Sequence, residues 1–306
     1  MSLPERIAPM LARLAARPFD SPAHLFEVKW DGTRCLAFVE RGGVRLQNRR
    51  FHRIEWRYPE LAVLAGLERG SVLDGEVVVL HEGRADFERL QRREQAADPT
   101  RAAALARVLP ATYVAFDLLY ERGRAILRRP LEERRERLRA LVAPHQGPEL
   151  LFSEHVAGAG RRFFDEVTAA GHEGVMAKRR DSPYLPGVRS RAWLKVKAQR
   201  EGRFAVIGYL PRPGEAAVSS LLLGEHAGGR WCYRGRVAAG LGERARRALH
   251  AELSRLPPLD GPVAGALPAR ARLVRTGLRA RVRYQDLTRA GLLRAPVLLG
   301  LERVPT

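Results

Sequence analysis

The chain carries 54 lysines and arginines, and only four of them are lysine: Lys29, Lys178, Lys195 and Lys197. An ammonium can lose its proton and act as a nucleophile, whereas a guanidinium effectively cannot. In a chain that writes arginine wherever any cation serves, the lysines mark positions where an amine is needed. Lys29-Trp30-Asp31-Gly32 falls where a strand runs into a turn, so Lys29 is exposed yet held, as attack on a phosphate requires. Asp74-Gly75-Glu76 sets a carboxylate inside an apolar run, and Glu76 needs a partner that Mg²⁺ or a ribose hydroxyl would supply. Glu173 stands at the mouth of a short strand, residues 174–178. Trp193-Leu194-Lys195-Val196-Lys197 alternates, which places Lys195 and Lys197 on one face. Two ammoniums side by side repel unless an anion lies between them.

Each feature alone has a plainer reading: a surface turn, a solvated turn acid, a loop acid, a basic edge strand that deters aggregation. Together they hold every lysine in the chain. One nucleophile, Glu76 and Glu173 for a divalent metal, and a lysine pair for phosphates make a nucleotidyl-transfer site. Such chemistry depends mostly on positioning and charge neutralisation. The sequence holds no G-x-x-x-x-G-K-[ST] phosphate loop, and its histidines lack zinc spacing.

The elements that must position these groups follow from periodicity. Residues 3–16 read as an amphipathic helix. Residues 25–30, 34–40 and 44–47 read as strands, the last two joined through Arg41-Gly42-Gly43 as a hairpin. Residues 71–80 and 112–120 are further strands, followed by the short strands 174–178 and 192–196. Residues 86–94, with Asp86 as N-cap, 130–142 and 161–170 are helical in pattern. Composition shifts at residues 197–203. Beyond it, strands 204–210, 219–224, 230–237 and 278–285 with one helix, 242–256, suggest a five-stranded OB barrel, a fold that commonly grips nucleic acid. The proline- and glycine-rich stretch 257–268 reads as a loop. The expected domains are 1–198 and 199–306.

The 306 residues carry a net charge of +20, which points to a polyanion, most simply nucleic acid. Hydrophobic content of 45% excludes a disordered chain, and no apolar run is long enough for a membrane helix. The start, MSLPERIAPM, lacks a signal-peptide core, and Cys35 and Cys232 make a disulfide framework unexpected, so a reducing cytoplasm is the expected location.

In order and spacing these motifs resemble the ATP-dependent DNA ligases, within the covalent nucleotidyltransferases, and in particular the bacterial end-joining type. Phe26-Glu27-Val28-Lys29-Trp30-Asp31-Gly32-Thr33-Arg34 resembles the nucleophile motif, with Lys29 as the adenylylated lysine. Leu46-Gln47-Asn48-Arg49 resembles the next, with Arg49 facing the nucleotide. Leu73-Asp74-Gly75-Glu76 and Phe116-Asp117-Leu118-Leu119 resemble the third and the one whose aromatic meets adenine. Glu173-Gly174-Val175-Met176-Ala177-Lys178 and Trp193-Leu194-Lys195-Val196-Lys197 resemble the last two of this domain, which places Met176 beside the nucleotide. Phe204–Tyr209, Ser219–Gly224, Leu293–Pro296 and Gly300-Leu301 resemble the family's OB domain. There the likeness breaks: the family continues Arg-x-Asp-Lys, and this chain reads Glu302-Arg303-Val304-Pro305, so help to the first step is expected to be weakened.

The resemblance implies an α+β chain, a nucleotidyltransferase (adenylation) domain of antiparallel sheets and helices followed by an OB-fold β-barrel. It implies ATP and Mg²⁺ (or Mn²⁺) as cofactors, with Glu76 and Glu173 holding the metal. Phe116 would stack on adenine, Glu27 would help read it, and Arg34 would contact the ribose side. Lys195 and Lys197 would bind phosphates and favour neutral Lys29. A hinge near residues 198–202 would let the OB domain swing. Nicked double-stranded DNA is the implied partner, end-binding or polymerase repair proteins are candidates, and a monomer without a separate N-terminal DNA-binding domain is expected. An RNA ligase, a capping guanylyltransferase and a non-catalytic DNA-binding relic are the alternatives. The Glu-Val-Lys-Trp-Asp-Gly context and the retained lysines favour the DNA ligase.

Overall fold

The computed structural model describes residues 3–288 and 290–304, so Pro305 of the last motif lies outside the described residues. The chain forms two compact units, Met1–Ala198 and Gln199–Thr306. The longer strands of the first unit are β1 (Leu11–Leu14), β2 (Ser21–Val28), β3 (Thr33–Glu40), β4 (Gly43–Asn48), β5 (Val72–His81), β6 (Ala111–Glu121), β7 (Leu150–Phe152), β8 (His155–Gly158), β9 (Gly174–Arg179) and β10 (Arg189–Lys197). Its helices are α1 (Phe87–Glu94), α2 (Pro99–Val108), α3 (Leu131–Val142) and α4 (Gly160–Ala169).

Two sheets result. One runs β1-β10-β9-β2-β8; in the other the long strands run β4-β3-β5-β6, with β7 parallel to β6. Strand β3 shows why they stack. At period two, Cys35, Ala37 and Val39 face a core shared with the helices, while Leu36 and Phe38 face Tyr184 and Trp193 from the other sheet's side. Burying side chains of that size gains roughly 1.5–3 kcal/mol each. A strand covered on both faces reads as a continuous apolar run, which is the character of β6.

Most expected elements are present, and the 41–43 hairpin pairs Glu40 with Gly43. Asp86 caps α1 by accepting from the Arg89 amide at 3.1 Å. The expected helix over residues 3–16 is absent. Pro9 would remove a backbone donor and clash one turn back, and residues 11–14 pair instead as β1, parallel to β10. The segment before β1 is pinned by Gln47, which exchanges hydrogen bonds with the Ile7 backbone at 3.2 and 2.6 Å. Helix α2, capped by Asp98 on the Arg101 amide at 2.8 Å, was not expected from the sequence.

The second unit comprises β11 (Arg200–Pro211), β12 (Val218–Ala227), β13 (Arg230–Val237), α5 (Glu243–Leu253), β14 (Leu278–Tyr284) and β15 (Val297–Arg303). The sheet order β13-β12-β11-β14-β15 curls back on itself through a bridge between Ala239 and Val297, as an OB barrel must. The loop 257–268 contributes Val263–Ala264, which pairs with Trp231 and Cys232. Residues 200–202 already pair with β14, so the link between units is shorter than the expected hinge: Ala198 and Gln199. Among the described residues no helix is long and apolar enough to cross a membrane.

Gly32 has a specific packing duty. A Cβ there would overlap the Val77 carbonyl oxygen and approach Glu76 Cγ at 2.9 Å. Gly32→Ala is therefore expected to cost about 1–3 kcal/mol by overpacking and to lower the melting temperature by several degrees, roughly 2–4 °C per kcal/mol for a unit of this size. Calorimetry showing an unchanged melting temperature would mean that the turn has room to spare.

Candidate active site

A cavity of about 220 Å³ opens in the first unit. Its walls include Glu27, Lys29, Arg34, Arg49, Glu76, Phe116, Met176 and Lys195, residues drawn from both sheets. Glu173, which pairs with Lys29, and Lys197, which pairs with Glu173, stand beside it.

Strand order explains the surroundings of Lys29. β9 lies between β2 and β10, so Gly174 pairs with Lys197 on one side while its carbonyl accepts from the Lys29 amide at 2.8 Å on the other. Glu173, one residue earlier, thus falls between two lysines. Lys29 Nζ donates to Glu173 Oε2, and Lys197 Nζ lies 2.7 Å from Oε1. Burial alone would raise the Glu173 carboxyl, but Lys29 and Lys197 outweigh it and hold it below its ordinary value. Glu173 thus bridges Lys29 and Lys197, rather than lying between Lys195 and Lys197. Lys195 is lowered by burial and by the ammoniums of Lys197 and Lys29. In this arrangement the Lys29 amine is occupied as a donor to Glu173.

At the next step along the wall, Arg34 and Glu76 are paired neighbours on β3 and β5. The Arg34 guanidinium is committed to the protein: it grips buried Asp74 with two hydrogen bonds at 2.5 and 2.6 Å, and Tyr184 Oη donates to the same carboxylate at 2.6 Å. Its expected ribose contact must share that fork. The Glu76 carboxyl makes no hydrogen bond or ion pair with a described side chain, although Arg34 and Lys29 lie near enough to attract it. Burial pushes its carboxyl up to about 7, against the pull of Arg34 and Lys29. Arg49 is exposed at the rim.

The cavity wall also holds a charged cluster that sequence reasoning largely missed. Glu27 is buried; its Oε1 accepts from Arg135 and its Oε2 from Lys178, both at 2.9 Å. Lys178 Nζ lies 4.1 Å from the centroid of Phe116 and 4.4 Å from that of Trp193. Arg34 also lies over Phe116, at 4.6 Å, so the ring expected to meet adenine already touches two cations. Arg135 carries no sequence signal, being one arginine in an arginine-rich helix. Lys178 had one, its residue type, but no role. Arg303, in the segment where the last motif diverges, is exposed and donates to Glu252 at 2.7 Å.

Residues 9–197 match the family model described as ATP dependent DNA ligase domain, and residues 214–304 match that described as ATP dependent DNA ligase C terminal region. The chain belongs to the ATP-dependent DNA ligases. The multifunctional non-homologous end joining protein LigD of Pseudomonas aeruginosa is 36% identical over 310 residues, covering 98% of this ligase chain and 36% of its own length. DNA ligase C2 of Mycolicibacterium smegmatis is 35% identical over 82% of this chain and 70% of its own. A solved mycobacterial DNA ligase D matches with a TM-score of 0.58 at 34% identity, covering 98% of this chain and 96% of that one. The ligase chain thus spans little more than a third of the LigD relatives.

Glu76 gives this site a pH signature. Its folded value of about 7 lies above the ordinary 4.5, so its contribution to stability is complete at acid pH and is lost as pH rises through 7. Compared with Glu76→Gln, the wild-type protein is expected to lose stability between about pH 5 and pH 8. Denaturant melts of the two proteins with parallel pH profiles would assign the titration elsewhere.

Proposed function

We propose that this ligase chain seals 5′-phosphate/3′-hydroxyl nicks in duplex DNA through a lysine–AMP intermediate on Lys29. The observation that carries this is that Lys29, Glu27 and Phe116 line one cavity, in a chain of this family. A related mycobacterial ligase D has been solved with ATP. Lys29 Nζ leaves Glu173, attacks the α-phosphorus of ATP and forms an N–P bond as pyrophosphate departs. AMP then passes to the 5′-phosphate of the nick. The 3′-hydroxyl attacks that phosphorus, AMP leaves, and the backbone is closed. Lys195 and Lys197 neutralise phosphate oxygens, and Phe116 and Glu27 hold the base.

Mg²⁺ or Mn²⁺ belongs to this reading. Among the described residues no group of three or more His, Cys, Asp or Glu side chains forms a metal cage, but Mg²⁺ commonly uses one or two carboxylates with phosphates and water. Glu76 fits, because its carboxyl is otherwise unpaired and held up to about 7, which a bound cation would relieve. Glu173 fits only once an ammonium leaves it. A bound divalent ion would supply charge neutralisation at the phosphates.

DNA is the substrate over RNA on family grounds, and the net charge of +20 supplies the salt-sensitive grip on a polyanion. LigD relatives are named for end joining, which makes repair the process, with end-binding or polymerase repair proteins as partners. We place the protein in the cytoplasm as a monomer; Cys35 and Cys232 are free thiols, compatible with a reducing compartment.

With α-labelled ATP and Mg²⁺, the wild-type protein should acquire a radiolabelled band. Lys29→Ala should lose it, and Lys29→Arg, which keeps charge without nucleophilicity, should lose nick sealing as well. Labelling that survives Lys29→Ala, or sealing that survives Lys29→Arg, defeats the assignment.

A further inference from the structure

Lys178 is the lysine that the mechanism leaves unused. It is 1% exposed, and its ammonium donates to Glu27 Oε2 at 2.9 Å while resting against the rings of Phe116 and Trp193. An ammonium in such a place is costly: burial lowers Lys178 from its ordinary value, and Glu27 opposes that shift. A structural pair alone would be served as well by an apolar side chain, since replacing a buried ion pair by packed hydrophobics is often neutral or stabilising. The pair also reaches the cavity wall, where both Glu27 and Lys178 stand.

The lone-pair arithmetic of Glu27 indicates a use. An ionised carboxylate accepts at about four lone-pair positions. Arg135 takes one on Oε1 and Lys178 takes one on Oε2, both at 2.9 Å. The carboxylate is therefore held from both oxygens, and the acceptor capacity that remains can welcome a donor and repels another acceptor. Arg135 is itself fixed, because it also donates to the carbonyls of Phe116, at 2.9 Å, and Ser153, at 2.5 Å. Lys178 is the second anchor. Without it, Oε2 loses its anchor and the carboxylate pivots about the Arg135 contact.

We infer that Lys178 is a positioning residue for purine selection: by anchoring Glu27 Oε2 it aims the carboxylate at a 6-amino group and against a 6-oxo group. This rests on the reading above that Glu27 and Phe116 form the base end of the site. The discrimination is of the kind a site gains when it is built to hydrogen-bond one substituent, because the wrong one leaves buried polar groups unpaired or opposed.

ATP and ITP differ at the purine 6 position, amino against oxo, with a proton on N1 of the oxo base. The test measures lysine–AMP and lysine–IMP formation from α-labelled ATP and ITP, with wild type, Lys178→Met and Lys178→Gln at matched, cooperatively melting fold. Wild type should prefer ATP strongly. Lys178→Met should reduce the ATP-over-ITP ratio of kcat/KM by at least about tenfold, mainly through a raised KM for ATP. Lys178→Gln, which keeps a donor to Glu27, should recover part of that ratio. Should Lys178→Met fail to melt cooperatively, Lys178→Gln against wild type decides, with a several-fold fall expected. An unchanged ratio, or an equal loss with both nucleotides, overturns the inference and leaves Lys178 a structural cation. Absence of any labelled band from wild type would instead overturn the proposed function, so the two failures are distinct.

Discussion

Arg135 ties together from within the two sheets that wall the cavity. Its guanidinium reaches Glu27 on one sheet and the Phe116 carbonyl on the other, and it takes the Ser153 carbonyl as well. No other side-chain type offers that many fixed donors in one plane. A charge so completely buried is tolerated only when it is paired and hydrogen-bonded. The neighbouring Arg134 repeats the device with two hydrogen bonds to Asp117 at 2.8 Å. The helix that carries both arginines is thereby fixed over β6, and the cavity walls are fixed with it.

Paired charge continues along the wall in a graded way. Around Glu27 the carboxylate is buried and held from both oxygens, by Arg135 and Lys178. In the middle Asp74 holds Arg34 while Glu76, on the same strand, is left unpaired with a carboxyl near 7. At the nucleophile end Glu173 is shared by two ammoniums, and Lys195 feels both as like charges. The site thus runs from rigid to exchangeable: the Glu27 cluster is fully buried and held by fixed donors, whereas the ammoniums that share Glu173 are partly exposed and can be traded for another anion. Preorganised charge of this kind spares the reorganisation that water would demand.

Much of this was legible in the residues. Lys29, Lys195 and Lys197 stood out by type, Glu76 by its place inside an apolar strand, and Glu173 by its position before β9. The hairpin at residues 41–43 and the Asp86 cap were readable because turn and cap chemistry is local. The segment over residues 3–16 misled because amphipathic spacing suggests a helix, yet Pro9 and the waiting edge of β10 decide for a strand. Helix α2 was missed although its Asp98-Pro99 start is itself a capping signal. In the second unit the barrel strands were readable from alternation, while the pairing of Val263–Ala264 inside a proline-rich loop was not.

The sequence by itself determined which groups are available for chemistry, because residue type decides whether a side chain can attack, accept or carry charge. It determined the family as well, because the motifs recur in order. Only the tertiary structure decided who pairs with whom. Glu173 meets Lys29 through strand order, across 144 positions of chain, and Glu27 meets Lys178 across 151 and Arg135 across 108. Long-range pairing depends on which strands lie side by side and which helix covers them, and a local pattern does not encode that. An arginine that holds a cavity together and one that only dissolves the surface are the same letter until the fold buries one of them.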